Sequence, residues 1–207
     1  MLKKALLIGL TFGLVSCASH YVIVPPVMDL MTVEPVGLVL FSVENAKGDL
    51  DQMATQAFLQ EATGYQKVPV LEIGKLEDVL QKLDLKALDP DAARAIGERY
   101  KLKSFFHGDI RVSKVKRQVD VGGVLRGNLR IRASLDISVT GRLISTETGA
   151  TLWTSSSNEN GTLALMSLGE DLVPYFGVRD QDEATRTMLH ELMFDLTWDF
   201  RPTKRRI

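Results

Sequence analysis

Three histidines, His20, His107 and His190, are the side chains of this 207-residue sequence best suited to hold a metal or act as a general base. None falls at the helical or finger-type spacing from a second histidine or a carboxylate that a zinc site displays in sequence, so no metal is expected. His107, in "FFHGD", stands two positions before Asp109 on a strand-like segment and reads as a structural histidine. His190 reads as bordering the packed stripe of the last helix. "EIGKLE" lacks the upstream glycine and the Ser or Thr of a P-loop, and "GGVLRG" joins two strands where a phosphate cradle would open a helix. No serine sits in a G-x-S-x-G turn. Neighbouring carboxylates such as Glu77 and Asp78 fit a solvated helix face. The expectation is a chain without cofactor that is not an enzyme. A hydrolase with a dispersed site would instead require a deep pocket gathering His107 or His190 with carboxylates.

The single thiol has a different context. Lys3 and Lys4 precede an apolar run from Ala5 to Val15, which is too short to cross a bilayer of about 30 Å but has the layout of a secretory signal. The residues that follow, Leu14, Val15, Ser16 and Cys17, resemble a bacterial lipobox. That resemblance implies cleavage before Cys17 and acylation, with palmitate among the fatty acids, of both its thiol and the new amino terminus. Multiple acyl chains anchor a protein stably. Ala18 stands where an aspartate would retain an enteric-type lipoprotein at the inner membrane, which favours the outer membrane, periplasmic face. With no second cysteine, stability must come from a core and not from disulfides.

The formal net charge is −1, and loss of residues 1–16, which carry Lys3 and Lys4 and no acid, leaves −3. Such a balance provides no overall field for nucleic acid. A hydrophobic content of 45% supports one folded domain. The reading is therefore a signal peptide over 1–16, a lipidated tether over 17–35 containing Pro25, Pro26 and Pro35, and a single domain over 36–207.

Within that domain, Val36 to Val43 is a near-continuous apolar run, as in a strand covered on both faces. A helix follows, with Asp49 as N-cap, Gln52 as its capping-box partner and Leu50, Met53, Ala54, Ala57 and Phe58 inward. Pro69 marks the next strand, over 65–73, as a sheet edge or a bulge. Two helices then present Leu76, Val79, Leu80 and Leu83, and, behind an Asp89 cap and Pro90, Ala93, Ile96 and Tyr100. From Lys103 the period becomes two. Leu129, Ile131, Ala133, Leu135, Ile137 and Val139 alternate with polar residues, a strand with one buried and one wet face. A turn at Thr148 and Gly149 leads to a strand with Trp153. The last helix, opened by Asp180 and Glu183, buries Leu189, Leu192, Met193, Leu196 and Phe200, and Pro202 ends it before an exposed basic tail. This order predicts an α/β (α+β) fold with a mixed sheet of about five strands and flanking helices.

Two features are candidates for partner contact. Arg111, Lys114, Lys116, Arg117, Arg126, Arg130 and Arg132 crowd one hairpin against Asp120 alone, a set suited to lipid head groups, cell-wall polymer or an acidic protein. The 158–179 connection carries Leu165, Met166, Tyr175 and Phe176, and long apolar connections often become contacts.

The lipobox, the strand end "FSVEN", the run "AARAIGERYKLKSFFHGDI" and "GRLISTETGATLW" together resemble the superfamily that includes the TolB N-terminal domain, CsgG and LpoB. The resemblance covers about residues 36–200 and implies a mixed sheet flanked by helices that works through protein contacts in the envelope. It further implies an accessory protein for an outer-membrane or cell-wall complex, with an envelope protein or the cell-wall machinery as partner and a homo-oligomer within its range. A CsgG-like secretion-channel subunit is the alternative. The short tether departs from LpoB-like activators, and the basic hairpin lacks the clean apolar face of channel strands.

Overall fold

The computed structural model describes residues 20–113, 116–120, 130–163, 175–176 and 183–206. They fall into two units, one of residues 20–26 with 202–206 and one within Val27–Arg201. In the smaller unit Tyr21–Val24 (β1) pairs antiparallel with Thr203–Arg206 (β11), so the basic tail is a strand.

The larger unit begins with a segment that composition assigns to the tether. Asp29 caps a 3-10 turn, Leu30–Thr32, through Met31 N–H, and Leu30 is wholly buried. The apolar run then divides into Val36–Val39 (β2) and Ser42–Glu44 (β3). The break has a local cause. Phe41 N–H leaves the ladder to donate to Thr55 Oγ1 at 3.0 Å, while Leu40 N–H donates to Gly74 O at 2.9 Å. Lys47–Gly48 (β4) leads to the helix Leu50–Tyr65 (α1). Of the expected face Leu50, Met53, Ala54 and Phe58 are buried and Ala57 is half-buried, with Thr55 and Ala62 added to the buried set. Its cap is not the expected box: the Asp49 side chain makes no capping bond, and Asp51 Oδ1 accepts from Gln52 N–H instead. Val70–Gly74 (β5) and the helices Leu76–Lys82 (α2) and Pro90–Tyr100 (α3) follow. The Asp89 carboxylate caps α3 by accepting from Ala92 N–H at 2.8 Å, as the sequence predicts.

Ser104–Val112 (β6) and Lys116–Asp120 (β7) both pair with the long strand Arg130–Ser145 (β8), which also pairs with Thr151–Leu163 (β9). Ser134 faces both Lys116 and Thr162, so β7 continues along the β6 edge of β8 and β9 takes the other edge. The sheet therefore has five positions, β5, β2 with β3, β6 with β7, β8 and β9, mixed in direction. β9 reaches Leu163, into what reads in sequence as loop, because Asn158, Asn160 and Thr162 keep register with β8. Tyr175–Phe176 (β10) pairs parallel with β4, and Glu183–Leu196 (α4) completes the fold. The capping position Asp180 and the turn "GGVLRG" lie outside the described residues.

Helices cover both faces of the sheet. α1 and α4 bury Leu38, Phe106, Ile110, Leu135, Ile137 and Val139, while α2 and α3 pack on Val39, Phe105 and Ile144. Phe106 sits at the centre of the larger core, with the rings of Phe58 and Phe200 meeting it edge-on at 5.0 and 5.6 Å. Gly108 on β6 has no space for a side chain, because a β-carbon there would collide with the Phe41 ring. Gly149, at φ +72°, supplies the left-handed residue that the β8–β9 turn needs. Among the described residues no helix is long and apolar enough to cross a membrane.

Candidate functional site

The connections around β2 create a crevice before any side chain is considered. From β2 the chain crosses through α1 on one face to β5, then through α2 and α3 on the other face to β6, so β2 has a crossover on each side. In open sheets, ligands and partners meet the carboxyl ends of parallel strands where connections diverge this way. A cleft of about 560 Å³ occupies that place.

Its floor is Leu40 and Phe41, where β2 breaks, and one wall is Ser42 to Glu44 of β3. The other walls are Ala46 to Gly48, Asp51 in the first turn of α1, and Lys75 and Glu77 at the start of α2. Lys75 Nζ lies 2.9 Å from Asp51 Oδ2, and that hydrogen bond and charge raise the lysine pKa above its ordinary value. Arg111 Nε donates to Glu44 Oε2 at 2.9 Å on the rim, and that hydrogen bond and charge raise the guanidinium pKa further above its ordinary value. Ser42 is the only hydroxyl side chain among the lining residues, and no imidazole lines it. Such a surface recognises charge and shape. The Arg111–Glu44 pair is exposed and Lys75 of the Lys75–Asp51 pair is half-exposed, so a partner can exchange them at modest desolvation cost.

Beyond the cleft, the sheet face emerges from under α2. His107, Asp109 and Arg111 on β6 stand opposite Arg142, Thr140 and Ser138 on β8. Asp109 lies 3.5 Å from His107 Nε2 and 3.6 Å from Arg142. His107 is 5% exposed, and burial pushes its pKa down against the opposing charges of Asp109 and Glu77, with Arg142 acting alongside burial. The shift favours the neutral ring, and its Nδ1 finds no hydrogen-bond partner among the described residues. Further along, Thr154, Ser156, Asn158 and Asn160 of β9 are exposed beside Asp136 and Ser138.

A second hollow, of about 310 Å³, lies between α1 and α4. Glu61 there accepts from Arg201 Nη2 at 2.8 Å and lies 2.9 Å from His190 Nδ1. The Arg201 guanidinium stacks 3.5 Å above the Phe194 ring. Gln56, Gln60 and Arg186 complete the polar lining, which among the described residues includes no hydroxyl or thiol beside the acid–histidine pair. Among the described residues no group of three histidine, cysteine or acidic side chains is placed to hold a metal ion.

Several of the sequence candidates converge. Arg111 reaches the cleft through Glu44, and Tyr175 and Phe176 run in register beside Lys47 and Gly48 on its rim. Lys116, Arg117, Arg130 and Arg132 lie farther along β7 and β8. Cys17, Lys114, Arg126, Leu165 and Met166 lie outside the described residues. The positive field is less uniform than the sequence suggests, because the β3–β6 pairing brings Glu44 onto Arg111. Glu44, Asp51, Lys75 and Arg142 were not singled out from sequence. The available signal was the strand-to-helix passage after "LVLF", whose end is a switch point only once β5 and β6 are known to flank β2.

No protein-family model and no curated protein matches the sequence. Among solved structures, a PelC dodecamer from Paraburkholderia phytofirmans is similar at 10% identity and a TM-score of 0.48, over 89% of this chain and 99% of that one. The LpoB C-terminal domain from Salmonella enterica is similar at 13% identity and a TM-score of 0.35, over 63% and 89% of the two chains. Lipoprotein GNA1162 from Neisseria meningitidis is similar at 12% identity and a TM-score of 0.38, over 75% and 92%. Likenesses of this degree assign no activity.

Proposed function

We propose that this chain is a lipoprotein, acylated at Cys17 and held on the periplasmic face of the outer membrane, that assists an envelope complex by binding one of its proteins. The observation that carries the anchoring is the run Leu14-Val15-Ser16-Cys17 behind a basic, apolar leader. The binding role is supported by the cleft at β2 and the polar sheet face beside it, where paired charges, hydroxyls and amides stand exposed. The partner is a protein segment carrying both signs of charge, which would exchange the Arg111–Glu44 and Lys75–Asp51 pairs for intermolecular ones.

The experiment is photo-crosslinking in intact cells from positions 47 and 111 in the cleft region, with exposed Glu98 on α3 as the comparison. A discrete adduct from 47 and 111 that is absent from 98 is the expected result. Equal adducts from all three positions would overturn the binding reading. Separately, radiolabelled palmitate should enter the protein and be lost with Cys17→Ala. Failure there would remove the anchor and leave the cleft to be judged by its adducts.

A further inference from the structure

The β1–β11 ribbon is built unlike the rest of the chain. Two strands alone are marginal in water, and a ribbon normally buries one side on something else. Here every residue of β1 is exposed: Tyr21 is 60% exposed and Ile23 69%. Tyr21 pairs with Arg206 and Ile23 with Lys204, and directly opposed residues share a face, so one side of the ribbon presents an aromatic, an aliphatic and two cations. Among the described residues, none of Lys204, Arg205 and Arg206 has an acidic partner. Three residues separate Tyr21 from Cys17, a reach of at most about 14 Å.

We infer that the Tyr21, Ile23, Lys204 and Arg206 face of this ribbon is a second membrane contact, lying in the head-group region of a bilayer bearing anionic lipid. The inference rests on the proposed anchoring at Cys17, because an acyl anchor four positions away keeps the start of the ribbon within about 14 Å of the surface. The composition fits that layer. Tyrosine places its ring in the boundary and its hydroxyl in water, isoleucine enters the acyl edge, and lysine and arginine lay their stems on apolar surface while their heads pair with phosphate. With stable attachment already supplied by the acyl chains, the basic residues add attraction to anionic lipid that lays the ribbon against the surface.

The test uses Ile23→Cys, labelled with a polarity-sensitive dye, in acylated protein reconstituted into vesicles of phosphatidylcholine with or without an equal share of phosphatidylglycerol. Palmitate incorporation is checked first, which separates failure of the anchor from failure of the ribbon. The expected result is a blue-shifted emission in the phosphatidylglycerol vesicles that Lys204→Gln with Arg206→Gln abolishes. The same emission in both vesicles, or a shift indifferent to those substitutions, overturns the inference and leaves the ribbon as a protein contact. A second measurement does not depend on acylation. In the Cys17→Ala chain the two glutamine substitutions should lower co-sedimentation with phosphatidylglycerol vesicles by about thirtyfold, at roughly fivefold per cation. An unchanged partition would likewise overturn it.

Discussion

Gln66, just past the end of α1, makes three hydrogen bonds that join parts of the chain far apart in sequence. Its Oε1 accepts from Leu30 N–H at 2.6 Å, and its Nε2 donates to Met28 O at 2.6 Å and Phe200 O at 2.9 Å. Gln66→Met keeps the length and removes all three. Leu30 N–H and Phe200 O lie in buried bonds, and leaving each without a partner costs about 1–3 kcal/mol. The Met28 bond is partly exposed, so water can replace most of it. The expected loss is about 3–4 kcal/mol, a large part of the roughly 5–15 kcal/mol that holds a domain together. Equilibrium urea unfolding in a Cys17→Ala background reads it as a midpoint lower by more than about 1 M, with the slope preserved. The amide of Leu30, slow to exchange in the parent, should exchange early in the variant. Exposed Lys67→Ala should move the midpoint by no more than about 0.5 kcal/mol's worth. If Gln66→Met behaved like Lys67→Ala, the view that the Met28–Leu30 segment is clamped into the core would be refuted.

Glu61→Gln removes the charge facing the buried Arg201 guanidinium and should cost about 3 kcal/mol by urea unfolding, whereas His190→Ala, at an exposed partner of the same carboxylate, should cost less than about 1 kcal/mol. His107 gives stability a pH dependence whose sign follows from its lowered pKa: the unfolded ring binds a proton below about pH 6.5 that the folded ring refuses, so stability falls as pH drops through that value. His107→Gln should flatten that part of the profile, measured as urea midpoints at pH 7.5 and 5.5 on a scale of about one pH unit either side of the histidine range. Gly108→Ala should destabilise by about 1–3 kcal/mol, read by thermal or urea unfolding, since its methyl must displace the Phe41 ring at the floor of the cleft.

Most of the elements were legible because their signals are local. The period of 3.6 in Leu76, Val79, Leu80 and Leu83, the Asp89 cap ahead of Pro90, and the alternation from Leu135 to Val139 each act over one or two turns or strand residues, and the structure places them as expected. Pro69 marked β5 as an edge strand for a similarly local reason, the missing N–H. The cap of α1 differs from its sequence expectation because two acids compete there: Asp49 and Asp51 both suit a helix start, and the proximity of Lys75 and the Gln52 amide favours Asp51 for the bonded role. β9 was cut short because Ser, Asn and Glu are weak strand formers in isolation. They remain extended here because β8 supplies a register partner for each.

The residues at the candidate site show the division between the two kinds of information. The sequence by itself carries the lipobox-like run ending at Cys17, the alternation of strands and helices and the cationic character of residues 111–132, since each depends on residues close together in the chain. Only the tertiary structure decided that Glu44 neutralises Arg111, that Lys75 meets Asp51, that β10 runs along the cleft rim, and that the basic tail pairs with β1. Those contacts join positions brought together by crossovers and by distant strand pairing. No local pattern encodes such pairings, because their energy exists only after the intervening loops have closed.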